Sequence, residues 1–412
     1  MRFSIIVISI LSGFSLSSQS LEDYLIIAQE NNPAVRARLL EFEAAQKKIV
    51  QARALPDPSV SAAVFLSPMM LPMGNQLGSI SATQMFPWFG TLDAMANEAA
   101  SMAEVKYQLM LVEQNELAYK VKNAWYPLYE LAEHILIQRD LLRVLETDKA
   151  LATFRFQHGQ APLADAIRAD IMIDQVKTEI ELLEQKRKPL VITFNRLLNR
   201  DDTMEVTPSG GIPEPAKDVY VYGNNAIDNN PMLAVLDKQI RVTIAEEEVA
   251  GYMRKPMLGA GLQYMPLTKR NTDDISLPPN TGMDMVMPMV SMTLPIWRKK
   301  YDAAVEERQL MQRMYTEMKR DMQNDLVSMY EMSYYDLEKM TQMINLLETQ
   351  MLKSQQVIDL LLASYGNAGT DFEEILRLQQ ELYRYRTEKV TAQVNYQLAL
   401  VKLYYLTGKT TH

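Results

Sequence analysis

Between Thr91 and His158 the sequence has no glycine and a single proline, Pro127. After Gly282 the next glycine is Gly366, and no proline lies between Ile296 and His412. Both stretches are rich in Ala, Leu, Met, Glu, Gln and Lys, residues that lose little on entering a helix. The spacing predicts helices over 91–156 and 298–365, each on the order of 100 Å long at ~1.5 Å per residue. A helix that long is not stable alone in water and has to pack sideways along its length. A seam for such packing is present. Met340, Ile344, Leu347, Met351, Ser354, Ile358, Leu361 and Tyr365 step by four and three, as in a coiled coil.

Four shorter helices are expected over 22–54, 162–199, 222–255 and 371–406. By length, 162–199 and 222–255 stacked end to end match the second long helix, and 371–406 with 22–54 match the first. Eleven of the 19 prolines fall in two short zones, 56–87 and 256–295. These zones hold the alternating runs Ser59–Leu66, Ser79–Phe86, Met257–Met265 and Met283–Leu294, which read as strands, with Pro288 pointing to a bulge. Ser67–Met73 reads as an outer loop between the first two. Four strands cannot close a barrel alone, and in a bilayer only a closed barrel satisfies the backbone.

The chain is written twice. Asn31-Asn32-Pro33 recurs as Asn229-Asn230-Pro231, and Pro58-Ser59-Val60 as Pro256-Met257-Leu258. Pro87-Trp88 is answered by Pro295-Ile296-Trp297, and Asp165-Ala166-Ile167-Arg168 by Glu374-Ile375-Leu376-Arg377. Four markers in one order predict a tandem duplication, 21–208 and 209–412, each half running helix, strand, strand, long helix, helix. Residues 1–20 read as a secretory signal, with Arg2, an apolar core from Phe3 to Leu16, and small residues Ser18 and Ser20 before Leu21. No later run is long and apolar enough for a membrane helix.

Composition closes off other chemistries. The chain has no cysteine, which removes disulfides, thiolate sites and an N-terminal lipidated Cys, and only three histidines, His134, His158 and His412. With 42 Lys and Arg against 51 Asp and Glu, the net charge is −9, and no basic run suits nucleic acid. No nucleophile–base constellation is present, so neither enzyme activity nor a cofactor is expected.

The duplicated Asn-Asn-Pro start, the Pro87-Trp88-Phe89-Gly90 segment and the junction Leu294-Pro295-Ile296-Trp297-Arg298-Lys299-Lys300 together resemble the TolC-like outer-membrane efflux family. So do the turn segments Phe156-Gln157-His158-Gly159 and Tyr365-Gly366-Asn367-Ala368-Gly369. The resemblance covers about 21–408. It implies a mainly α protein with a small β part, a trimeric α-barrel continuing into a 12-stranded outer-membrane β-barrel with four strands per protomer. It also implies an exit duct in the outer membrane of a Gram-negative bacterium, with a long periplasmic extension. The partners would be two further copies, outer-membrane lipid, a periplasmic adaptor and an inner-membrane transporter. The resemblance leaves the cargo as Cu(I), Ag(I) or other heavy-metal ions, with drug or amphiphile export on the same fold as one alternative and a soluble periplasmic scaffold or adaptor as another.

In the family, acidic residues after the periplasmic turn line a closed aperture. The matching positions are Asp165 and Arg168 in the first half, Glu374 and Arg377 in the second; each acid and Arg are three apart and share a helix face. The turns His158, Gly159, Gly366 and Gly369 would meet the adaptor. Among 28 methionines, Met69, Met70 and Met73 sit in the expected loop, and Met283, Met285, Met287 and Met289 alternate along an expected strand. Thioethers are soft ligands suited to Cu(I) and Ag(I), and the Pro-Trp-Phe-Gly segment resembles the heavy-metal branch. The same residues also serve as apolar filler. Phe86, Trp88, Phe89, Trp297 and Tyr301 are candidates for an interfacial aromatic girdle.

Overall fold

The computed structural model describes residues 20–71, 73–208, 211–213, 226–269, 280–365 and 372–409, with the backbone alone for 68–71. Residues 1–19, most of the expected signal, lie outside that set. The elements are α1 (Leu21–Asn31), α2 (Pro33–Arg53), β1 (Ser59–Leu71), β2 (Gly74–Phe86), α3 (Thr91–Gln157), α4 (Leu163–Leu197), α5 (Pro231–Tyr252), β3 (Leu258–Met265), β4 (Leu267–Thr268), β5 (Met285–Met292), α6 (Arg298–Tyr365) and α7 (Phe372–Leu406). The protein is mainly helical with a small sheet. The breaker-free stretches are the long helices α3 and α6, and Pro127 is carried inside α3.

Several local expectations change. The expected helix over 22–54 breaks at Asn32, whose backbone turns extended. Its N–H still donates to the Ala28 carbonyl at 2.9 Å, closing α1, while its side-chain oxygen accepts from Ala34 N–H at 2.9 Å, opening α2. Pro33 then takes the first helical position, where its missing N–H costs nothing. The expected outer loop Ser67–Met73 is mostly strand. β1 runs on to Leu71 and pairs Met69 with Gln76 and Met70 with Asn75. The register shifts between Val64 and Met69, not at Pro288. Pro288 keeps regular register opposite Leu262 in β5, an end strand of the sheet.

The chain folds into two compact units, and each takes residues from both halves of the sequence. One holds residues up to 36, 113–230 and 325–412; the other holds 37–112 and 231–324. In the first unit α3 packs on α4 and α7 through Leu141, Leu145, Ile173, Ile375 and Leu376. Further along, α3 packs on α1 and the end of α4 through Val121, Trp125, Tyr24 and Phe194. α6 packs on α7 through Leu337, Ile344, Leu347, Tyr396 and Leu403. Ile344, Leu347, Ile358 and Tyr365 of the expected seam are all buried.

The end-to-end pairing of the short helices differs from the length argument. Asn32 donates its side-chain amide to the Leu197 carbonyl at 2.9 Å, so α4 ends against the α1–α2 break. Asn230 donates likewise to the Leu406 carbonyl at 3.0 Å, so α7 ends at the residue before α5. The repeated Asn-Pro thus does one job twice: its Asn satisfies a carbonyl that a finishing helix leaves open, and its Pro starts the next helix. Length matched α4 with α5 and α7 with α1–α2. It could not separate these pairings, because the four expected segments are of similar length.

The second unit contains the sheet, in the order β1-β2-β3-β5, antiparallel throughout, with β4 also paired to β2. Register decides its two faces. Ser61, Ser81, Gln263 and Met287 lie in one lateral row, and Val60, Ala82, Leu262 and Pro288 in the row on the opposite face. Extended along the strands, one face carries Ser61, Ser81, Thr83, Gln263, Met285, Met287 and Met289. The other carries the exposed Val60, Val64, Ile80, Leu262, Val286 and Val290.

Candidate functional site

The α3–α4 turn is built on Gly159, at φ +69, where a side chain would be strained. Its N–H donates to the Phe156 carbonyl and that of Gln160 to the Arg155 carbonyl, at 3.0 and 2.9 Å. His158 folds back, its Nδ1 2.8 Å from the Phe154 carbonyl and its ring 4.2 Å from the Phe154 ring. The companion positions Gly366 and Gly369 lie outside the described residues.

The four charged positions expected near the turns do not form one group. On α4, Arg168 lies 3.6 Å from Asp165 on its own helix and 2.9 Å from Glu373 at the start of α7. On α7, Arg377 holds Glu374 in a two-point bond at 3.0 and 2.6 Å and lies 4.0 Å from Glu381. That bond holds the exposed Glu374 carboxyl below its ordinary range. Asp165 differs: only 4% of it is exposed, so within this chain it points inward instead of lining an opening.

Asp165 belongs to a cluster that motif spacing missed. Arg155, in the last turn of α3, is itself buried and donates to the Tyr365 carbonyl at the end of α6. Its guanidinium lies 4.2 Å from the centre of the Tyr365 ring. Burial, and then the Asp165 charge, push the Tyr365 hydroxyl up, while Arg155 pulls it back. Arg155–Tyr365 and Arg168–Glu373 therefore tie the α3–α4 hairpin to the ends of α6 and α7. A basic residue in the last turn of a helix was the available signal. Its partner 210 positions away was not.

On the sheet, Met285, Met287 and Met289 share one face, opposite Met265, Gln263 and Gly261 of β3. Met283 precedes the strand, so three of the four expected methionines form the row. The Met265 sulfur accepts from Gln76 Nε2 at 2.8 Å. Met85 lies beside Gly259 and accepts from Ser291 Oγ at 3.9 Å. Met73 is at the hairpin end, and Met69 and Met70 are described only by backbone, in β1. Among the described residues no group of three or more His, Asp or Glu is placed to hold a metal.

Of the aromatics, Phe86, Phe89 and Trp297 are exposed, while Trp88 and Tyr301 line a cavity where the strands meet the helices. His134 on α3 is half-buried against α7. Its Nε2 is 3.3 Å from Thr391 Oγ1 and 3.8 Å from Glu130. Burial holds its pKa down, against the pull of Glu130. No described helix is long and apolar enough to cross a membrane.

Residues 25–200 match the sequence model of the outer membrane efflux protein family. Among solved structures, a membrane protein from Pseudomonas aeruginosa is 17% identical with a TM-score of 0.74, over 94% of this chain and 90% of that one. CusC, whose structures describe folding and transmembrane channel formation, is 13% identical with a TM-score of 0.76, over 96% and 95%. The open state of the Neisseria gonorrhoeae MtrE outer membrane channel is 16% identical with a TM-score of 0.72, over 95% and 89%. Comparison with curated protein sequences finds no match. Residues 25–200 thus carry the sequence pattern of outer membrane efflux proteins, and the chain as a whole has the fold of these outer-membrane channels.

Proposed function

We propose that this protein is the outer-membrane exit duct of a tripartite efflux pump and works as a homotrimer without catalysis or cofactor. One observation carries this reading. The sheet leaves its end strands β1 and β5 each with one unpaired edge among the described residues, and exposes an apolar face backed by a polar one. Such edges have to be paired, and a sheet with one greasy and one polar face suits a barrel wall between lipid and water. Three copies contribute twelve strands, an even number within the range of outer-membrane barrels. The apolar face then meets outer-membrane lipid, and the helices extend into the periplasm. There the turns at His158 and Gly159, with Gly366 and Gly369, meet the adaptor, which links to an inner-membrane transporter. Residues 1–20 direct export, and 21–208 and 209–412 descend from one duplicated unit.

The gate lies at the helix ends. Arg168, Glu374 and Arg377 repeat around the three-fold axis, with Asp165 buried behind Arg168, and the ties Arg168–Glu373 and Arg155–Tyr365 hold the two hairpins of each protomer together in the closed state.

A second reading concerns cargo. Met285, Met287 and Met289 stand on the face that also carries Ser, Thr and Gln, not on the lipid-like face, so greasy filler is the poorer account of them. Rows of thioethers along the duct, with Met69, Met70, Met73 and Met283 near its outer end, suit passage of Cu(I) or Ag(I).

The experiment is planar-bilayer recording on the purified protein with its size measured in detergent. A trimer giving discrete conductance steps is expected. A monomer that never conducts would favour a soluble scaffold.

A further inference from the structure

Where all four strand–helix junctions meet lies a cavity of about 850 Å³. Its apolar surface comes from Leu55, Met95, Met257 and Leu294, and its aromatic walls from Trp88, Tyr252 and Tyr301. Two lysines, Lys255 and Lys300, also line it. Each ammonium sits near an aromatic ring, Lys255 at 4.7 Å from the centre of Tyr252 and Lys300 at 5.7 Å from that of Tyr301. Neither has an ion-pair partner among the described residues. Nearby Arg53 and Arg254, by contrast, are matched with Asp93 and Asp302. Asp57 is the one acidic residue on the wall, which leaves the lining cationic.

Gly90 sits at φ +87, and a Cβ there would come within 2.7 Å of the Tyr252 hydroxyl. Glycine at this turn leaves room for the Tyr252 ring beside the chain that follows Trp88. The volume falls in the range of small-molecule sites, which combine apolar walls with a few placed charges.

We propose that this cavity binds an organic anion with an aromatic or similarly flat apolar body. The body fits between Trp88, Tyr252 and Tyr301, and the anionic group takes the ammonium groups of Lys255 and Lys300. A cation of the same shape gains from the rings but is repelled by the lysines. Pro87, Met257 and Thr293 continue the alternation of the polar sheet face, so on the exit-duct reading the cavity opens toward the transport path. It is then a wall station for anionic amphiphiles. That placement rests on the proposed function; the binding itself does not.

The test uses the full-length protein in detergent and 19F NMR of 4-(trifluoromethyl)benzenesulfonate, with 4-(trifluoromethyl)benzylammonium as the matched cation. Saturable binding of the sulfonate and at least fivefold weaker binding of the ammonium are expected. Lys255→Gln with Lys300→Gln should weaken the sulfonate about 2–5-fold for each lysine removed. The Lys→Arg pair should retain it, which separates charge from any disturbance of folding. Equal affinity for both probes, or unchanged affinity in the Gln pair, overturns the proposal. Bilayer recording on the same samples keeps the readings apart. Conductance without binding sinks the cavity alone; binding without conductance sinks the duct and leaves the cavity.

Discussion

Asp148 on α3 and Gln379 on α7 face one another in the buried seam between those helices, and each keeps one oxygen without a hydrogen-bond partner among the described residues, Oδ2 and Oε1 respectively. The Gln379 amide donates to the carboxylate, and burial, the larger effect, pushes the Asp148 pKa up. A protonated carboxyl would complete a two-bond pair with the carboxamide and satisfy both open oxygens. The folded-state pKa is raised, so the folded protein holds the proton more tightly than the unfolded chain. This contribution is full below the ordinary aspartate value near 3.8 and is lost as pH rises through the raised one. Asp148→Asn keeps the pair without a proton. Its thermal stability is expected to exceed that of the parent increasingly from pH 4 to 7, by about 1–3 kcal/mol at the top. A constant difference across that range would show that Asp148 does not titrate there.

Arg155 is buried with its charge spent on one carbonyl and one ring. Arg155→Met leaves the Tyr365 carbonyl open at the end of α6 and removes the partner of the ring, costing about 1–3 kcal/mol. Faster proteolysis at the helix ends, with the sheet end unaffected, is the expected signature.

Arg168 and Arg377 make separate predictions in the bilayer. Arg168→Glu puts like charges opposite Glu373 and, on the proposed exit-duct reading, should raise the open probability. Arg377→Glu breaks an exposed pair on a single helix and raises conductance only if that pair also reaches a neighbouring copy. Unchanged conductance in both variants would remove these residues from the proposed gate.

The two Asn-Pro junctions should respond alike. Asn32→Ala and Asn230→Ala each lose a side-chain bond to a helix-end carbonyl, at Leu197 and Leu406. Each loss is expected to cost about 1–2 kcal/mol, read as a fall in the melting temperature followed by circular dichroism. Pro33→Ala, which removes no such bond, should cost less.

Replacing Met285, Met287 and Met289 by Leu preserves bulk and apolar character. If soft-metal passage uses these sulfurs, a strain carrying the variant becomes sensitive to copper and silver while its tolerance of amphiphilic drugs is unchanged. Full metal tolerance would return the row to packing.

Much of this architecture was legible in the chain because its signals are local. Absence of Gly and Pro marked α3 and α6 almost to the residue, and period-two runs marked the strands. The seam through Ile344, Leu347 and Ile358 followed from spacing on a single helix. Charges three apart on α4 and α7 were visible for the same reason.

Tertiary structure decided whatever depends on partners distant in sequence. Length could not say that α4 ends at Asn32 and α7 at Asn230, since each meeting joins residues more than 160 positions apart in sequence. Spacing could not reveal that Arg155 meets Tyr365, or that Asp165 is buried while Glu374 is not. Alternation along one strand predicted that methionines share a face. Only the cross-strand register, in which Met287 lies in a row with Gln263, Ser81 and Ser61, shows that this face is the polar one.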